Sequence, residues 1–495
     1  MRRFSLASSS RTSVVIGVCF ATYLLVHGIN LIPSGYNIDD WGHAAEGSDW
    51  GVLGRWGLEV FYRHGLGLSF SVTLQIAIAF LSFLAISFLL VETYCDTWSK
   101  SKKNLAVGAI FLVGTSHPYW LDSNNFSTAI GAYPFAAALG VLAFYLPVAA
   151  RRSRITLSVG ACVLGGGLFG AALAIYQPAG LFGLVMAGAV LFKPEMRSAG
   201  HFFKVACLIL VTIAVGLVLY RLQSQYYFIL HPEKVPNELL SFAGVSLFLQ
   251  KASQLFSLYF YSLSAGQFAA WTPAYDWAMK LLVVALALAT LCLVKVLVGN
   301  KRYWEAARAC VAVGACAVLP ILGGWLFIEP DFPIRSLSLI AFPVVFLIFV
   351  VLHETKSPAA VEDKIFAAAL IVSGTVFAVG LMMSSVGWTK QQRSYERDLA
   401  VAYAVSGALA AYPPGLEIRL AGSRSYNDLV PIASVGQSIY ENYWAKIFIF
   451  WELFRLSVQP VETSPVACQA APKPGSIVRV DNVVYVCLEA FQDAS

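Results

Sequence analysis

The 495-residue sequence predicts a mainly α fold: a polytopic transmembrane helical bundle of about eleven spans, followed by a small mixed α/β outer C-terminal domain. Three observations predict it. First, 58% of the residues are hydrophobic and only 13% are charged, about half the ~25% charged share of a soluble domain; this excludes both a soluble enzyme and a disordered chain. Second, the apolar residues gather into stretches near the roughly 20 residues that a helix needs to cross a bilayer core about 30 Å thick. Third, the composition shifts at residue 387, after which 19 of 109 residues are charged and turn signals separate short β-like runs.

The apolar stretches run 14–32, 69–91, 104–116, 127–149, 155–175, 179–192, 203–220, 277–298, 307–328, 336–352 and 364–386. The third and sixth are short for a crossing, as a tilted, broken or re-entrant segment would be. No small-residue cleavage pattern follows the first stretch, which is long enough to span, so a removable signal peptide is not expected.

Lys and Arg then set the orientation, because they favour the cytoplasmic side of a span. Clusters occur at Arg2, Arg3 and Arg11; Lys100, Lys102 and Lys103; Arg151, Arg152 and Arg154; Lys193 and Arg197; and Lys301 and Arg302. Each follows an even number of crossings. The expected topology has the N-terminus cytoplasmic and everything after 387 outside. The net charge of +6 is thereby explained by orientation in a bilayer, and no nucleic-acid partner is expected.

This divides the chain into a membrane domain, 1–386, and a small outer domain, 387–495. Within the outer domain Glu417–Ala421 and 476–488 read as strands. Cys19, Cys162, Cys207, Cys292, Cys310 and Cys316 sit in spans as small apolar residues, and Cys95 is cytoplasmic. Cys468 and Cys487 lie in the outer tail beside a hairpin, where a disulfide is permitted. Neither a CxxC pair nor HExxH appears, so no dedicated metal site is expected.

Three outer segments are long enough to hold chemistry: 33–68, 221–276 and the tail. The first carries seven charged residues in 36, including Asp39-Asp40-Trp41 and Gly54-Arg55-Trp56. Adjacent carboxylates repel, which raises the pKa of one and suits it to proton abstraction near neutral pH. Tyr36, Trp41, Trp50 and Trp56 interleave flat apolar faces on which a sugar ring can stack. The competing reading is a solvated loop.

Four further places are polar. Tyr176-Gln177-Pro178 ends the fifth stretch, where Pro stops the helix and Tyr and Gln offer hydrogen bonds; interfacial anchoring is the plainer alternative. Glu329-Pro330-Asp331-Phe332-Pro333-Ile334-Arg335 is an outer turn whose Arg335 opposes the positive-inside trend and suits a phosphate, or pairs with its neighbouring acids. In the loop 117–126, Asp122 and Asn124 can orient a polar acceptor or cap the following helix. Arg221, after the seventh stretch, either contacts phosphate or snorkels to the interface.

The Asp-Asp pair after the first span, Gly54-Arg55 some fifteen residues on, Ala174-Ile175-Tyr176-Gln177-Pro178 and Pro333-Ile334-Arg335 together resemble the bacterial serotype-converting (O-antigen) glucosyltransferases of the GtrII type. The resemblance covers about 14–400. This chain has Trp56 where the family often has Pro. The resemblance implies a GT-C-like polytopic glycosyltransferase in the bacterial inner membrane, with a periplasmic C-terminal domain. It would take a sugar, commonly glucose, from a polyprenyl phosphate such as undecaprenyl-phosphate glucose. The acceptor would be lipopolysaccharide O-antigen or a similar surface glycan.

In that scheme Asp39 or Asp40 is the general base, Arg335 and Arg55 bind the donor phosphate, and Tyr176 and Gln177 shape the donor pocket. Trp41, Trp56, Asp122 and Asn124 face the acceptor or sugar. A divalent cation would find hard ligands in Asp39 and Asp40, although two adjacent acids alone make a poor cage. Implied partners are membrane lipids, a small flippase and a synthase that loads the lipid carrier. Two other classes compete: a transporter or flippase of a polar or glycosylated lipid, which needs charges inside its spans, and an assembly subunit acting through its tail.

Overall fold

A computed structural model describes residues 6–28, 55–65, 71–125, 129–151, 155–232, 273–318, 341–355, 359–432, 434–443 and 445–492. The described residues are mainly helical and fall into two compact units. One is drawn from the chain up to Ser384; the other comprises Asn124, Asn125 and the chain from Ser385 onward.

The first unit begins with α1, Leu6–Tyr23, which ends in a π-turn, Leu24–Gly28. A short α2, Trp56–Val60, and a second π-turn, Phe61–Gly65, follow. This corrects the reading of 33–68 as loop over its described part. Then come α3, Val72–Tyr94, α4, Lys100–Thr115, and α5, Tyr119–Asn124, the last a helix where a loop was expected. Next are α6, Ala132–Ala150, α7, Ile155–Ile175, α8, Gln177–Leu181, and α9, Leu184–Ala189. The expected sixth stretch is thus broken: Pro178 stands just before it, Gly180, Gly183 and Gly188 fall within it, and a 3₁₀ turn, Val190–Phe192, closes it.

The chain continues through α10, Ala199–Leu230, α11, Pro273–Gly299, α12, Tyr303–Val318, α13, Ala341–Thr355, and α14, Ala359–Leu409. The reading of 221–276 as loop is corrected at both ends, because α11 already begins at Pro273 and α10 runs on to Leu230. Nothing breaks that helix until Pro232, which disfavours helical backbone at His231. Among the described residues six helices are long and apolar enough to cross a membrane, namely α3, α6, α7, α10, α11 and α14; three shorter apolar ones include α13.

Packing follows composition. In α13 the run Ala341 to His353 is apolar nearly all round and wholly buried, as a helix without a polar face must be. In contrast, α10 keeps Leu210, Val211, Val218 and Leu222 exposed, a face suited to lipid. The glycines of α7 let it lie close to its neighbours, α6 and α10: a Cβ built on Gly170 would stand 3.0 Å from the Gly216 carbonyl. Small residues at such contacts supply the dispersion that holds helices together in lipid.

The basic connections meet at one end of this unit. Lys193 pairs with Asp96 at 3.2 Å, Arg197 with Glu305 at 2.7 Å, Lys102 with Glu362 at 2.9 Å and Arg151 with Glu195 at 3.5 Å. Partly exposed pairs like these contribute little to stability individually, but they join turns that are far apart in sequence.

The second unit holds β1, Glu417–Ala421, α15, Ala445–Phe454, β2, Gln459–Val461, β3, Ile477–Val480, and β4, Val483–Cys487. The sheet order is β2-β1-β4-β3, with β1 parallel to both β2 and β4. α15 is the crossover between β1 and β2. β3 and β4 form an antiparallel hairpin around Asp481 and Asn482; Asp481 takes the left-handed conformation, φ 53°, which suits a tight hairpin turn. Leu420, Val484 and Val486 pack with Val401, Val405, Ile449 and Phe450 as its core. Cys468 and Cys487 are joined by a disulfide.

α14 supplies residues to both units. Its 51 residues measure about 77 Å at 1.5 Å each, more than twice a bilayer core. Its apolar part, 364–386, precedes a charged stretch that includes Lys390, Arg393, Arg397 and Asp398. Asp398 lies in the sheet-bearing unit and accepts hydrogen bonds from Ser438 Oγ at 2.6 Å, the Ile439 amide at 2.9 Å and Tyr426 Oη at 3.0 Å. Burial pushes its pKa up to about 6 against the pull of those donors.

Candidate active site

The polar cluster of the membrane unit starts from a glycine. A Cβ on Gly57 would stand 2.8 Å from Ala174 Cβ and 2.9 Å from the Ala174 carbonyl carbon, so only glycine lets α2 lie this close to the end of α7. That approach brings Arg55, which precedes α2, to Tyr176, which follows α7. The Arg55 guanidinium stands over the Tyr176 ring, 5.2 Å from its centroid.

Tyr176 is extended, φ −158° and ψ 110°, between α7 and α8, and Pro178 opens the next helix, where its missing N–H is no loss. The Tyr176 ring stacks on Tyr133 of α6 with centroids 3.7 Å apart and planes within 6°. Its neighbour Gln177 donates from Nε2 to Tyr220 Oη of α10 at 3.0 Å. Tyr176, Gln177 and Tyr133 are buried. Four segments, from α2, α6, the α7–α8 turn and α10, therefore converge on one place.

A second set of hydrogen bonds fixes the chain beyond α2. Tyr62 Oη donates to Gln75 Oε1 at 2.8 Å, and the same oxygen accepts from the Gly131 amide at 3.3 Å. Glu59 pairs with Arg63 at 3.0 Å. Among the described residues no carboxylate lies within ion-pair distance of Arg55, and its Nε, like Trp56 Nε1, is buried without a hydrogen-bond partner. A guanidinium held on an aromatic face, its Nε without a partner among the described residues, suits an anionic group such as a phosphate.

Of the residues singled out by sequence, Arg55, Tyr176 and Gln177 come together here, and Trp56 follows Arg55 as the first residue of α2. Asp39, Asp40, Trp41 and Arg335 lie outside the described residues. Asp122 and Asn124 are both buried on α5, and Asn124 keeps both ends of its amide without a partner among the described residues. Sequence reasoning missed Tyr133 and Tyr220. Tyr133 lies in an Ala-rich helix with no polar neighbour in sequence to mark it; Tyr220 immediately precedes Arg221, the one local signal that marks it. No group of three or more His, Cys, Asp or Glu gathers as a metal cage would among the described residues.

Six apolar helices of spanning length among the described residues, with polar side chains from distant segments gathered between some of them, define a multi-pass membrane protein. Residues 28–353 match the family described as Glucosyl transferase GtrII. The chain belongs to that family, and it is a membrane glycosyltransferase. Among curated proteins none matches. Among solved structures it is similar to ArnT from Cupriavidus metallidurans in the apo state, at 15% identity over 92% of this chain and 90% of that one, TM-score 0.45. The same protein bound to undecaprenyl phosphate matches at 15% identity over 91% and 89%, TM-score 0.43.

Proposed function

We propose that this glycosyltransferase moves a sugar, glucose, from a polyprenyl-phosphate donor to lipopolysaccharide O-antigen or a related surface glycan. The reaction takes place on the outer face of the bacterial inner membrane. Asp39 or Asp40 takes the proton of the acceptor hydroxyl, whose oxygen attacks the anomeric carbon in line. The bond from that carbon to the phosphate oxygen breaks, polyprenyl phosphate leaves with the electron pair, and the configuration inverts.

Arg55, with Arg335, meets the negative charge that grows on the departing phosphate; losing one such preorganised donor costs on the order of 3 kcal/mol in comparable sites. Tyr176 and Gln177 shape the donor pocket, while Trp41, Trp56, Asp122 and Asn124 serve the acceptor or sugar. In this reading 1–386 is the catalytic membrane domain and 387–495 a periplasmic domain. The meeting of the Lys and Arg connections at one end of the membrane unit supports a cytoplasmic assignment for that end. A flippase and a synthase that loads the carrier complete the system.

The observation that carries this reading is the convergence of Arg55, Tyr176 and Gln177, roughly 120 positions apart, in a chain of the GtrII family. The test is transfer of labelled glucose from undecaprenyl-phosphate glucose by the purified protein in proteoliposomes. Asp39→Asn or Asp40→Asn should lower transfer at least about 100-fold, the usual contribution of a general base, with the protein still monodisperse. Full activity in both variants would sink the base assignment. Unchanged surface glycans in a deletion strain would count against the acceptor.

A further inference from the structure

We infer that Tyr133 and Tyr220 are positioning residues of the donor site, Tyr133 setting the plane of the Tyr176 ring and Tyr220 setting the rotation of the Gln177 amide. The inference rests on the reading of Arg55, Tyr176 and Gln177 as donor-binding groups and adds the two residues through which the bundle holds them.

The geometry separates the two roles. Tyr176 belongs to a one-residue extended link between helices, so its backbone alone leaves the ring free to turn about χ1 and χ2. A parallel ring at 3.7 Å and 6° removes that freedom, since any large turn of Tyr176 drives it into Tyr133. The guanidinium at 5.2 Å is attracted by the face of that ring, and the attraction falls away when the ring tilts. The position of the cation is therefore set by α6 as well as by α2.

Gln177 presents an amide whose terminal torsion is broad and nearly two-fold. Its hydrogen bond to Tyr220 Oη, 3.0 Å, holds the amide in one plane, and it does so from α10, a helix that contributes nothing else to the site named so far. A hydroxyl accepts or donates equally well, so the hold survives either assignment of the amide's nitrogen and oxygen. Both tyrosines act on a neighbour that the proposed function assigns to the donor.

The experiment is equilibrium binding of radiolabelled undecaprenyl phosphate to the full-length protein in detergent, with gel filtration as the control for folding. Tyr220→Phe keeps the ring and loses the hydroxyl; it should weaken binding about tenfold in the native background and less than twofold in a Gln177→Ala background. Tyr133→Leu should weaken binding about tenfold, and Tyr133→Phe, which restores the stack, should recover most of the loss. Should Tyr133→Leu fail to fold, the Tyr220 cycle decides alone. Equal effects of Tyr220→Phe in both backgrounds, or a silent Tyr220→Phe beside a weakened Gln177→Ala, overturn the positioning role. Native affinity in both Arg55→Ala and Gln177→Ala overturns the donor-site reading itself, and this inference with it.

Discussion

Replacing Gly57 by Ala tests whether the close approach of α2 to α7 builds the site. The added carbon would lie 2.8 Å from Ala174 Cβ, 2.9 Å from Ala174 C and 3.0 Å from Ile175 N, against ordinary contacts of about 3.5–4.0 Å. Two of the three obstacles are backbone and cannot swing away. Relief requires α2 to retreat by roughly 1 Å, taking Arg55 off the Tyr176 ring.

Helix propensity favours Ala over Gly by about 1 kcal/mol, so any loss comes from displacement and not from the helix. Overpacking costs about 1–3 kcal/mol, and a misplacement of about 1 Å at a catalytic group costs on the order of 100-fold in rate. Glucose transfer in proteoliposomes should fall by that order, with the protein still eluting as a single species. Gly160→Ala, where a Cβ meets nothing within 4 Å, is the control and should transfer as the native protein does. A Gly57→Ala protein with native turnover would refute the argument that this contact positions Arg55.

Other perturbations follow from the same structure. Arg55→Lys keeps the charge but loses the planar group that lies on Tyr176; affinity for undecaprenyl phosphate should fall roughly tenfold, the loss being read by equilibrium binding. Changing Cys468 and Cys487 to Ser opens a loop with a sequence separation of 19, which should cost the sheet-bearing unit about 3 kcal/mol, measured as faster proteolysis within 417–492 and unchanged cleavage elsewhere. Asp398 has a folded pKa of about 6, above the ordinary ~3.9 of an unfolded aspartate, so the fold holds its proton more tightly. Stability is therefore highest in acid and is lost as pH rises from about 4 to 6. Moving from pH 7 to pH 5 should stabilise the 426–442 segment by on the order of 1 kcal/mol, seen as slower hydrogen exchange after correction for intrinsic rates, and Asp398→Asn should abolish the change.

Much of the fold is legible because the chain is simple where the bilayer is its solvent. The long apolar stretches at 69–91, 127–149 and 155–175 become α3, α6 and α7 with small shifts at their ends, since hydrophobic length alone specifies a crossing. Glu417–Ala421 alternates and is a strand. The tail is less transparent where tertiary context overrides local preference. In α15, Ile447-Phe448-Ile449-Phe450-Trp451 has the composition of a strand, yet it must cross over between parallel strands and so forms a helix. β2 is only Gln459-Pro460-Val461, and its proline, which marks loops, is tolerated because β2 is an edge strand.

The site divides in the same way. Arg55, Tyr176 and Gln177 stand out as polar groups in an apolar chain, and scarcity of charge makes them visible. Tyr133 and Tyr220 are invisible because their value lies in a ring plane and a hydroxyl supplied from other helices, which no spacing along the sequence encodes.

The order of the sheet also sets a timetable. β1 lies at the centre of the sheet, and its register partner for Glu417 is Val483, 66 positions later (483 − 417). At a synthesis rate of about 5–20 residues per second that partner arrives roughly 3–13 s after β1 emerges. During that interval β1 is an open edge, the kind of surface on which chains aggregate, and a message cut short before β4 would leave it open permanently. Loss of β3 and β4 would therefore be felt as aggregation of a sticky chain, well before any question of catalysis arises.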